Sequence, residues 1–197
     1  MNRIGNYIQT ASGKLFYPLD PRAEEVCIYD IAHALSQCAR WTGHTREFYS
    51  VAQHACVVAS LVAYTAPHLA LAALHHDSAE AYLADICSPT KQFLWLRYEN
   101  HAGVEQMESF SSVEDRVEHA ILKALSIETP DQDGRAAIKT ADRAALRWEA
   151  ENLMSPFPNE DPIYTIGLIP HKWVRPWTSE KAESEFLAFH NALAKGH

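Results

Sequence analysis

The chain has 197 residues, 47% of them hydrophobic, with a net charge of −8 and a pI near 5.7. That length fits one domain of ordinary size with a substantial core. The acidic balance argues against bulk nucleic-acid binding, which needs a basic face. It leaves open a small phosphorylated ligand, provided that local cations or a metal overcome the overall field.

Only seven glycines and several alanine-rich runs lean the composition towards helix. The start, MNRIGNYIQT, has no apolar signal core, and no apolar run is long enough to span a membrane, so the sequence reads as cytoplasmic. Residues 1–29 read as an extended segment, with Pro18 and Pro21 marking a turn and a short hairpin around Ser12-Gly13. Asp30 is expected to cap a helix to about Arg40, striped by Ile31, Ala34, Leu35 and Cys38. A second helix starts near Ser50, with Val51, His54, Val58 and Leu61 on one face. A third starts after Pro67 and runs into ALHHDSAEAYLADICSPTK, which Pro89 ends.

Residues 90–98 read as another short helix. Ser112 and Asp115 resemble a capping pair for the next, and Thr129-Pro130-Asp131 opens one whose main body runs from about Arg135 to Leu153. Five prolines make 155–177 a connection, after which Thr178 caps a final helix to about Ala194. The expectation is one all-α domain over 1–197, with a helical core at 30–154 and a proline-rich connection and last helix at 155–197. Trp173, Trp177 and the last helix are candidate surfaces for a homo-oligomer. Cys27, Cys38, Cys56 and Cys87 form no CxxC pair and suit reduced, packed thiols.

Histidines and acids stand on these helical faces. Taken alone, His54 reads as a core histidine. His76, Asp77 and Glu80 meet on one side of a helix, yet the flanking LALAAL marks a buried segment, where carboxylates need partners. Asp142 sits beside Ile138 and Ala145. It needs either an ion pair with Arg143 or Arg147, or a metal shared with His54, His76 and Asp77. His75, about 100° around the helix from His76, reads as a packing or supporting residue.

The order His54, His76-Asp77, Asp142 resembles that of the HD-domain phosphohydrolases, whose all-helical domain binds one divalent metal through these four residues. RWTGHTREFYSVAQH, HHDSAEAYLADICSPTK and KTADRAAL are similar to the deoxynucleotidase branch, and YIQTASGKLFYPLDP to the phage-type dATP triphosphohydrolases. The connection near Thr65-Ala66-Pro67 is shorter than in the bacterial nucleotidases. Two imidazoles and two carboxylates suit a first-row divalent ion, with zinc, cobalt or manganese leading, and magnesium can accompany a triphosphate.

The resemblance implies hydrolysis of dATP to deoxyadenosine and tripolyphosphate, or its stepwise dephosphorylation, in the host cytoplasm if a phage encodes the chain. It implies that Glu80 handles the attacking water, with Asp85 a second acid–base candidate. Arg40, Lys91 and Lys139 match phosphate-contacting positions, and Trp41 either packs on the sugar or base or belongs to the core. His44 and Arg46 either help close the pocket or pack the loop. Two alternatives stay open: a 5′-deoxynucleotidase acting on monophosphates, and a regulator that binds metal and nucleotide without catalysis.

Overall fold

The computed structural model describes residues 3–167 and 175–195, and helices dominate it. In chain order the elements are β1 (Ile8–Gln9), β2 (Leu15–Phe16), α1 (Ile28–Gln37), α2 (Val51–Thr65), α3 (Ala70–Leu74), α4 (Glu80–Leu83), α5 (Ser88–Lys91), β3 (Trp95–Glu99), β4 (Glu105–Ser109), α6 (Phe110–Ala124), α7 (Gln132–Leu153) and α8 (Ser179–Ala194). The all-α expectation is corrected: β1 pairs antiparallel with β2, and β3 with β4, as two separate two-stranded sheets.

The core is built around α2. Every residue from Val51 to Ala59 is buried, and a helix that is apolar all round must be covered on every side. Helices α1, α3, α7 and α8 do this. Ser50 fixes where α2 starts, because its side chain accepts from Gln53 N at 3.2 Å, and this places His54 in the first turn. One core cluster joins Phe16, Ile31, Leu35, Val51, Leu74 and Phe186; another joins Val58, Val62, Leu122, Ile138 and Ala145.

Several local expectations change. Asp30 does not cap α1. It lies within the helix, buried, and its carboxylate accepts from Ser12 N at 2.6 Å and Ser12 Oγ at 2.7 Å. It thereby ties the β1–β2 hairpin, which turns at Gly13 (φ 86°), to the helical core. The third helix does not run through the His-Asp motif. It stops at Leu74, and residues 75–79 form tight turns, with Ser78 N bonded to His75 O and Glu80 N to Asp77 O.

The helix expected at 90–98 is instead the short α5 followed by β3. Asn100 accepts from Ala102 N and Val104 N, and Gly103 takes a left-handed φ of 72°, so Asn100–Gly103 is a hairpin turn. Ser109, not the pair Ser112 and Asp115, caps α6 by accepting from Ser112 N. Asp131 caps α7 through Gly134 N, and Thr178 caps α8 through Lys181 N.

Trp177 is engaged within its own chain. It packs against the core, and its N–H donates to Gln53 Oε1 at 2.8 Å; Trp173 lies outside the described residues. The cysteines are free, and Cys56 is buried, but Cys87 is exposed rather than packed. No helix among the described residues is long and apolar enough to cross a membrane.

The β3–β4 hairpin is held to α6 by one charged group. Arg116 donates to both oxygens of Glu108, and Tyr98 Oη donates to Oε2 at 2.8 Å. The hydrogen bond from Arg116 does most to hold the Glu108 carboxyl down, to about 2. A carboxyl lowered on folding contributes stability that is complete above its unfolded value near 4.5 and lost as pH falls through about 2. Acid titration from pH 4.5 to 2 should therefore loosen the hairpin, read as a shift of the Tyr98 ring resonances. Glu108→Gln should remove that pH dependence; an unchanged titration in the variant would assign it to other groups.

Candidate metal centre

Three separated segments converge. Helix α2 brings His54, the turn after α3 brings His76 and Asp77, and α7 brings Asp142. The ligand atoms of His54, His76 and Asp142 all lie within 4.8 Å of one another. Asp142 Oδ1 is 3.3 Å from His54 Nε2 and 4.0 Å from His76 Nε2. Asp77 Oδ2 lies beside the same two atoms, 3.6 Å from His54 Nε2 and 3.2 Å from His76 Nε2.

The other face of each imidazole decides its tautomer. His76 Nδ1 is 2.8 Å from the Ala73 carbonyl, and His54 Nδ1 is 2.6 Å from Glu149 Oε1. Carbonyls and carboxylates only accept, so each Nδ1 carries a proton, and in the neutral ring each Nε2 turns a lone pair inward. Both Nε2 atoms are buried and have no hydrogen-bond partner. Buried nitrogen lone pairs beside two carboxylates are a poor arrangement for a polar interior and a good one for a divalent cation.

The charges agree. Burial opposes a proton on His76, but Asp77 and Asp142 overcome it and raise the group to about 9. Burial and Arg40 oppose the charge on His54; Glu149 and Asp142 raise it nonetheless. Burial likewise disfavours the carboxylates, yet His76 and His54 beside Asp77, and His54 and His76 beside Asp142, hold both acids well below the usual range. The field at this point calls for positive charge. The donor set is therefore able to hold a metal ion through His54, His76 and Asp142, with Asp77 alongside.

His75 faces away. It is fully buried, with Nδ1 2.9 Å from Ser78 Oγ and Nε2 2.9 Å from His190 Nδ1, and it packs edge-on to Phe186. Burial lowers it to about 3, and His190 adds to this.

A cleft of about 560 Å³ opens beside the centre and is lined by Asp77, Asp142, Glu80, Asp85, Arg40, Trp41, Lys91 and Lys139, among others. The structure thus brings the predicted catalytic and substrate-binding residues to one place, with differing freedom. Arg40 is buried and bonded to Glu149 and Asp77. Lys91 pairs with Glu114 at 2.7 Å, and the exposed Lys139 with Asp142 at 2.8 Å. Asp142 thus takes its ion pair from Lys139, not from Arg143 or Arg147. Burial pushes Glu80 up, to about 9, helped by Asp77 and Asp85, and its Oε2 has no partner. Burial also raises Asp85. His44 is exposed, whereas Arg46 bonds the carbonyls of Asn152 and Leu153 at the end of α7.

Comparison with known proteins gives this chain two relatives. No family model matches the chain. It is 44% identical to YfdR of Escherichia coli K12 over 89 residues, which span 45% of this chain and about half, 48%, of that protein. It is 31% identical to RCAP_rcc00048 of Rhodobacter capsulatus over an alignment of 199 positions that covers 93% of each chain. The chain belongs to the family of RCAP_rcc00048. Both relatives are uncharacterized proteins.

In this member of the family the residue that binds the site together is Glu149, which the sequence reading passed over. It is fully buried. Oε1 holds His54, while Oε2 accepts from Trp41 Nε1 at 3.0 Å and Arg40 Nε at 3.3 Å. Trp41 and Thr42 have left-handed φ values of 56° and 53°, a costly backbone for non-glycine residues. The Trp41–Glu149 bond and the Arg40 N–Tyr49 O bond hold the segment there. A signal was present: Glu149 follows Asp142 by seven residues, two helical turns along the same face.

Proposed function

We propose that the chain hydrolyses deoxynucleotides at a metal centre of the HD-domain kind, with dATP the leading substrate and deoxyadenosine and tripolyphosphate the products. The observation that carries this reading is the pair of unpartnered Nε2 atoms of His54 and His76, set beside Asp142 and Asp77. A bound divalent ion supplies the charge that polarises a phosphorus centre and acidifies water. The reaction adds a water oxygen to the α-phosphorus and breaks its bond to the 5′ oxygen, which leaves with a proton.

The chain's own groups serve that exchange. Glu80 is a buried carboxyl on the cleft that keeps its proton to about pH 9 when no cation offsets Asp77 and Asp85. A cation beside Asp77 draws it down, so Glu80 is placed to exchange a proton with water, and Asp85 is a second carboxyl on the same cleft. Arg40, fixed by Glu149, offers positive charge to a phosphate without needing to reorganise. Magnesium carried in with a triphosphate belongs to the substrate. The reading includes a homo-oligomer, as the resemblance implies, in the cytoplasm, with neither membrane nor bulk nucleic acid as partner, as the lack of a long apolar run and the acidic charge suggest.

A chromatographic panel of deoxy- and ribonucleotides, as mono- and triphosphates with zinc, cobalt or manganese, tests it. Turnover of dATP is the expected result. Turnover of monophosphates alone would move the substrate to the 5′-deoxynucleotidase class. Glu80→Gln should lower turnover at least about a hundredfold with metal content unchanged, and turnover equal to the unaltered protein's would remove Glu80 from the chemistry.

A further inference from the structure

The cleft beside the metal centre has two unlike sides. One carries the metal-centre carboxylates and the cations Arg40, Lys91 and Lys139. The other comes from residues 155–167, the proline-rich stretch that reads in sequence as a mere connection: Phe157, Pro162, Ile163 and Ile166 line the cleft from there, together with Asp161, whose carboxylate is turned to its own backbone at Ile163 N. Phe157 is half-buried, its ring centroid 6.0 Å from that of Trp41 and tilted by 56°. Two aromatic rings therefore border the cleft.

This stretch is held in place through its backbone. Arg147, oriented by Glu151 at 3.0 Å, donates to the carbonyl of Tyr164 at 3.0 Å and to that of Ile166. Tyr164 Oη reaches back to Phe157 O at 3.5 Å, and Asp161 caps the single turn Pro162–Thr165 through Ile163 N at 2.9 Å. Those bonds fix the strap without using the Phe157 ring. An aromatic ring left half-exposed on a cleft wall, on a backbone anchored elsewhere, is available to a flat apolar ligand group.

We propose that the strap at 155–167 is the base-binding wall of this site, with Phe157 the residue on which a nucleobase packs, Ile163 and Ile166 backing it, and Arg147 the positioning residue that holds it. The inference rests on the nucleotide reading above and adds to it which part of the chain contacts the base. The charged side takes the phosphates of the same ligand, so the strap carries affinity for the nucleoside half only.

Calorimetry on the zinc-loaded protein separates the halves, with deoxyadenosine and inorganic phosphate as individual probes. The unaltered protein is expected to bind both. Phe157→Ala should weaken deoxyadenosine about tenfold or more, the usual effect of losing an aromatic partner for a base, and leave phosphate unchanged. Phe157→Tyr should restore the nucleoside, which a loss of folding in the alanine variant would not explain. Deoxyadenosine bound equally by Phe157→Ala and the unaltered protein overturns the wall while leaving the nucleotide reading intact. Phosphate binding with no affinity for any deoxynucleoside in the unaltered protein overturns both.

Discussion

Asp142→Asn is expected to abolish stoichiometric metal loading while the helical core still folds. The two imidazoles are set as lone-pair donors by Ala73 O and Glu149, and this variant touches neither bond. What it removes is the charge that, with Asp77, makes the centre favourable to a cation. The side chain keeps its shape and lies outside the three hydrophobic core clusters, so folding has no packing reason to fail. Elemental analysis after purification in zinc should fall from about one ion per chain, the single-centre expectation, to background.

Thermal melting gives a second readout. A metal that binds the folded chain at a hundred times its Kd adds about 2.7 kcal/mol, roughly 5–10 °C in Tm for a chain of this size. A chelator should produce that loss in the unaltered protein and almost none in Asp142→Asn. Retained stoichiometric zinc in the variant, or a chelator response equal to that of the unaltered protein, would remove Asp142 from the centre.

Much of this site could be read from the residues, because its members stand near capping and apolar signals that also build the fold. Ser50 and Asp131 set the starts of α2 and α7, and the apolar periods of those helices carry His54 and Asp142 inward. The reading failed where local pattern gave way to tertiary demands. Asp30 has the composition of a cap but serves as the anchor of a hairpin 18 residues upstream, and only the folded chain reveals that pairing. The stretch at 95–109 alternates about a turn that needs Gly103, yet a four-residue helix directly before it blurs the period. The turn at 75–79 keeps His76, Asp77 and Glu80 together by i→i−3 bonds rather than by a continuous helix. A helical reading therefore brought Asp77 and Glu80 to one cleft through the wrong backbone. The strap at 155–167 was opaque for a different reason: prolines announce the absence of a helix but do not say what the irregular chain covers.

The spacing from Asp142 puts Glu149 on the right helical face, but its role is disclosed by its contacts to His54, Trp41 and Arg40, and its substitution separates support of the fold from support of the metal. Glu149→Ala leaves the buried Arg40 with Asp77 as its remaining partner at 3.4 Å. Breaking one side of a buried ion pair costs about 3–5 kcal/mol, a Tm loss on the order of 10 °C. Glu149→Gln keeps the volume and an oxygen for Trp41 and Arg40, but it turns an amide NH2 towards His54 Nδ1. Two donors cannot face each other. The ring proton is therefore expected to move to Nε2, where it occupies the lone pair aimed at Asp142. Metal affinity should fall about 10–100-fold, as it does when a buried partner of a metal-binding histidine is lost, with Tm in the presence of chelator much less affected than in Glu149→Ala. Nitrogen-15 spectra of the imidazoles in the metal-free protein, recorded above the raised titration of these rings, read the tautomer directly. A proton still on His54 Nδ1 in Glu149→Gln, together with unchanged zinc affinity, would reduce Glu149 to a structural partner of Arg40 and Trp41.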